Sequence, residues 1–85
     1  MITFDDLEEG KLYEALLNRG ALGPTGMYRF LVIENHLVDG AMNLMILEKG
    51  YHSFKHKLVY VRGQISHIRR LLLYEEVLLR LECDI

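Results

Sequence analysis

The sequence predicts an α+β fold: a small, curved antiparallel sheet of three to five strands with a C-terminal helix. Three observations predict it. "MYRFLVIENHLVDGAMNLMILEKG" is two apolar runs joined across Val38-Asp39-Gly40-Ala41. Asp-Gly between such runs signals a hairpin, because a type I′ turn needs positive φ at both central residues. "KLVYVRG", residues 57–63, is β-branched and aromatic and reads as a further strand, ended by Gly63. "HIRRLLLYEEVLLRLEC", residues 67–83, is dominated by Leu, Glu and Arg, which form helices better than strands.

Taken in chain order, the first segment, "TFDDLEEGKLYEALLNRG", has two readings. A single helix would use Thr3 as N-cap, Asp6 three residues on and Gly20 as stop. Gly10 in mid-segment costs such a helix about 1 kcal/mol. The preferred reading is an acidic turn ending at Gly10, then a strand "KLYEALL". "GALGPTG" follows; Pro24 presets φ for a type I turn over Gly23–Gly26. The phosphate-loop ending Gly-Lys-Ser/Thr is missing there, and a strand rather than a helix comes next. A two-residue hairpin loop then sets Leu37 opposite Met42 and Ile33 opposite Ile46. Leu44 shares their face, with Val32, Met45 and Leu47 on the other. Both faces are partly apolar, which predicts a central hairpin covered on each side.

For the last segment, Ser66 is the candidate cap. Leu71, Tyr74, Val77, Leu78 and Leu81 follow helical spacing as one apolar stripe, and Leu72 and Leu79 fall on a second flank. A helix apolar on two flanks must be buried on two sides or meet a partner. The expected interface is therefore Leu71, Tyr74, Leu78 and Leu81, and Leu78→Ala is expected to cost about 2–5 kcal/mol if that side chain is buried. The alternative architecture is an all-β, SH3-like barrel in which this C-terminal segment is a strand.

Eighty-five residues suit a single small domain, residues 1–85, near the lower limit for folding without metals or disulfides. Yet 51% of the chain is hydrophobic, and surplus apolar surface on so small a body marks an interface. Cys83 is the only cysteine, so no internal disulfide forms, which fits a reducing compartment. The opening "MITFDDLEEG" lacks the positive start of a secretory signal, and "LLLYEEVLLRL" is too short and too charged to span a bilayer. A cytoplasmic protein with no membrane partner is the expectation.

No nucleophile–base arrangement is visible, and the acids Asp5, Asp6, Glu8 and Glu9 fall on a solvated turn, so no catalytic residues, enzymatic activity or cofactor are expected. His52 and His56 are four apart, but on an extended segment that spacing spans about 13 Å, too far to chelate one ion. No metal site is expected. The charge is distributed oddly: net charge is −2, while residues 49–70 hold six Lys or Arg and no acid. Lys55, Lys57, Arg62, Arg69 and Arg70, with Tyr60 as a stacking ring and His52 and His56 at the edge, form a candidate anion patch for nucleic acid or a nucleotide. The competing reading is a solvated face that pairs those charges with the protein's own acidic N-terminal turn, or with the acidic ends of a second copy, residues 5–9 and 75–84. The function class that follows is a non-enzymatic adaptor or inhibitor module that binds protein and self-associates. Nucleic-acid or nucleotide binding through residues 49–70 is the alternative.

Overall fold

A computed structural model describes residues 1–36, 40–47 and 58–85. It is an α+β fold of five strands and one α-helix: β1 (Leu12–Leu17), β2 (Gly26–His36), β3 (Ala41–Leu47), β4 (Leu58–Val61), β5 (Ile65–Arg70) and α1 (Leu73–Cys83). Neighbouring strands are antiparallel, in the order β4-β3-β2-β1-β5. The order hides a tight constraint. β4 and β5 are the two edges of the sheet, yet only the 3₁₀ turn Arg62–Gln64 joins them. Four interstrand spacings put the edges of a flat sheet ~19 Å apart, whereas four peptide steps reach at most ~14 Å. The sheet must therefore curl until its edges approach, although it stays open. That curl is what the barrel alternative requires; the C-terminal strand it also requires is absent, because residues 73–83 are helical.

Curling separates two cores. One side gathers Tyr13, Ala15, Leu17, Phe30, Val32, Met42, Leu44, Ile46 and Tyr60 from the strands, closed by Phe4 and Leu7 of the N-terminal turn and by Ile65. The other side holds Leu12, Met45 and Leu47 beneath Leu71, Leu79 and Cys83, with Leu31, Ile33 and Ile85 packed against them. The helix roofs only this second core.

The N-terminal segment forms a turn and then a strand, as the preferred reading has it. Phe4–Asp6 is a 3₁₀ turn in which the Asp6 carboxylate accepts from the Thr3 backbone N–H (2.8 Å) and hydroxyl (2.9 Å). These bonds, the backbone one first, hold the Asp6 pKa below its ordinary value. Gly10 then takes φ +79°, a left-handed value that no α-helix contains. In place of a type I turn over Gly23–Gly26 the chain makes a 3₁₀ turn at Gly20–Leu22.

The hairpin register differs from expectation. His36 pairs with Ala41, which leaves four residues rather than two in the connection; Leu37, Val38 and Asp39 lie outside the described residues. A bulge at Ile33 shifts the register again, so that Phe30, not Ile33, faces Ile46. Val32 consequently joins Met42, Leu44 and Ile46 in the first core, and Ile33 turns to the second. Ser66 is not a helix cap but the second residue of β5. There a second bulge sets His67 and Ile68 against Ala15, with His67 at φ +53°.

Candidate interaction surface

Why the helix begins at Leu73 is a matter of one carboxylate. Glu75 Oε1 accepts the Leu72 backbone N–H at 2.9 Å, the N-terminal half of a capping box, and an acid in the first turn suits the helix dipole. The same carboxylate takes Arg69 Nη1 at 2.8 Å, Arg69 Nη2 at 2.9 Å and Arg29 Nη2 at 2.9 Å. Strand pairing supplies those cations, because Glu14 of β1 lies directly opposite Arg29 of β2 and Arg69 of β5. Glu14 accepts from Arg29 Nε at 3.1 Å and from Arg69 Nε at 3.0 Å. Two carboxylates and two guanidiniums thus close a neutral network across three strands and the first turn of α1.

Arg69 and the Leu72 N–H hold the Glu75 carboxyl at about 2, below its ordinary 4.5. Burial pushes Glu14 up, but Arg29 and Arg69 outweigh it and leave that pKa lowered; the Arg69 guanidinium, bound to Glu75 and then Glu14, is raised. A carboxyl lowered on folding stabilises the fold above its unfolded pKa and loses that contribution as pH falls through its folded one. The thermal midpoint should therefore drop between about pH 4.5 and 2. Glu75→Gln should be less stable at neutral pH and should converge on wild type towards pH 2. A constant gap between the two melting curves across that window would show that the carboxyl is not held by this network.

Downstream, Arg80 pairs with Glu76 at 3.1 Å and its Nη2 donates to the Gly10 carbonyl at 3.4 Å. The helix ends at Asp84, in the left-handed conformation at φ +55°. Between these fastenings, its buried residues are Glu75, Leu79 and Cys83. At 3.6 residues per turn, Leu73, Val77, Leu81, Tyr74 and Leu78 occupy the opposite arc of about 140°, with no charge among them. All five face solvent, with 48 to 77% of their surface exposed. Leu72 is exposed beside them. Of the expected interface, then, Leu71 is core, while Tyr74, Leu78 and Leu81 form one open apolar face. Of the second flank read from the sequence, Leu79 packs on the sheet, whereas Leu72 does not.

Of the anion-patch residues, Tyr60, Arg62, Arg69 and Arg70 are described. Lys55 and Lys57, with His52 and His56, lie outside the described residues. Tyr60 is buried in the first core, so its ring has no face to offer a base. Arg62 pairs with Asp5 and stacks over the Phe4 ring, 5.1 Å from its centroid, on the side of the first core. Arg69 is engaged by Glu14 and Glu75 on the side of the second. Arg70 is exposed at the end of β5. For Arg62 the structure follows the competing reading, in which the basic stretch meets the acidic N-terminal turn; Arg69 instead meets Glu14 of β1 and Glu75 of α1. Glu14, Arg29 and Glu75 were missed as a group, and the signal was Glu75 three residues into a helix that starts at 73, not 67.

No helix among the described residues is long and apolar enough to cross a membrane. Comparison with protein-family models, with curated proteins and with solved structures found no match. The class that fold and surface define is a small α+β domain carrying one open apolar helix face.

Proposed function

We propose that this chain is a small non-enzymatic binding module that works through protein–protein contacts and self-association, with the exposed face of α1 as its contact surface. One observation carries the reading: an 11-residue helix buries its narrower side and turns Leu73, Tyr74, Val77, Leu78 and Leu81 to solvent. Contiguous apolar patches of that kind on a small domain mark interaction sites. Nucleic-acid or nucleotide binding draws less support, since Tyr60 is buried and Arg62 and Arg69 are matched by acids.

Light scattering across a concentration series tests the proposal on wild type and Leu78→Lys. Leu78 is exposed, so the variant should keep its fold and melting temperature, while an ammonium set in an apolar seam should weaken self-association at least about tenfold. Equal association by both proteins would remove α1 as the contact surface.

A further inference from the structure

Resting on the reading above, we infer that the occupant of the α1 face is a second copy of this chain, its helix laid antiparallel to the first about a two-fold axis at Val77. The stripe is symmetric about that residue: Leu73 and Leu81 stand four positions to either side, with Tyr74 and Leu78 forming a parallel ridge. A self-complementary patch is what a two-fold interface needs, because each contact occurs twice with the roles exchanged. In an antiparallel pair Val77 meets Val77, and Leu73 meets the second copy's Leu81.

Charge selects this direction over the parallel one. No charged side chain lies within the stripe. Exposed Glu82 and Asp84 close the helix at its C-terminal end. Parallel packing sets Glu82 and Asp84 beside their own copies. Antiparallel packing separates them and opposes the two helix dipoles. The area is also adequate. Leu72, Leu73, Tyr74, Val77, Leu78 and Leu81 expose on the order of 600 Å² per copy, so a pair buries at most roughly 1,200 Å², at the lower bound of specific interfaces. A reversible dimer at micromolar concentrations is the expected state.

Cysteines introduced one at a time at exposed positions, with the native Cys83 replaced by Ala in every variant, test the arrangement in the full chain under mild oxidation. A disulfide needs Cα atoms within about 7 Å, and Leu73 and Leu81 are ~12 Å apart along the axis. Val77→Cys should therefore link to itself as the main product. Leu73→Cys and Leu81→Cys should each remain largely unlinked alone but link when mixed, and Leu78→Lys added to Val77→Cys should abolish linking. Self-linking at all three positions would mean a parallel pair and overturn the antiparallel arrangement. A wild type that sediments as a monomer at tens of micromolar, with no linking, overturns the second copy as occupant. The broader protein-binding reading then survives only if wild type, but not Leu78→Lys, binds another protein. A wild-type dimer that forms without any of these links and ignores Leu78→Lys overturns both.

Discussion

Phe30→Ala should lower the stability of the protein by about 3–5 kcal/mol, the range for removing a fully buried aromatic side chain. Phe30 is 0% exposed on β2, the middle strand of the five, and it faces Tyr13 of β1 and Ile46 of β3. The Tyr13 ring stacks on it with centroids 6.0 Å apart at 30°, a contact worth about 0.5–1.5 kcal/mol beyond the buried area. Tyr13 also accepts the Glu8 backbone N–H on its hydroxyl at 3.1 Å, so loosening its ring loosens the N-terminal turn that closes the first core. A domain of this size has a net stability of only about 5–15 kcal/mol, so this one change removes a large share of it. Chemical denaturation monitored by circular dichroism gives the answer. A loss under about 1 kcal/mol would mean that the first core lies elsewhere.

Leu79→Ala and Leu78→Ala form the second test, one residue apart on the same helix. Leu79 is 4% exposed against the second core and Leu78 is 54% exposed. The first change should cost about 2–5 kcal/mol, and the second should stay within about 0.5 kcal/mol in the monomer, as exposed substitutions do. The cost the sequence suggests for Leu78 thus moves to its neighbour. Reversed effects would mean that the helix is rotated by some 100° from the orientation described.

Elements were more legible in the sequence than faces. The N-terminal turn and following strand, the strand ending before Gly63 and a helix near the end of the chain all carry local signals: a left-handed glycine, β-branched runs and Leu-rich spacing. Faces depend on what packs above them. Periodicity finds an apolar stripe through Leu71, Tyr74, Leu78 and Leu81, but not whether that stripe or the side with Leu79 and Cys83 meets the sheet. Here Glu75 decides, because its bonds to Arg29 and Arg69 turn its own side of the helix inward. Tyr60 shows the same limit. Alternation put it beside Arg62 on one strand face, but that face belongs to the first core. The basic stretch drew attention by composition; Arg69 meets Glu75 six residues on, but Arg62 and Arg69 also find acids far away in the chain, at Asp5 and Glu14. Such distant pairings leave no local pattern to read.

The bulge at His67 has a further consequence, best put as a matter of phase. A strand deals its residues alternately to two sides, and one extra residue swaps every later assignment. Leu17 faces Ile65 and Leu16 faces Ser66, so uninterrupted pairing would bring Ile68 opposite Glu14 and Arg69 opposite Tyr13. That would place an isoleucine among the ions and a guanidinium in the first core. The inserted residue resets the alternation just before Arg69, which then meets Glu14 and, three residues before the helix-leading Leu72, sets the platform on which Glu75 lands. Length at this point therefore matters to the fold beyond identity: the exposed site at 67, at φ +53°, suits Gly, Asn, Asp or His, but a chain shortened there by one residue would be out of step from β5 to the end of α1.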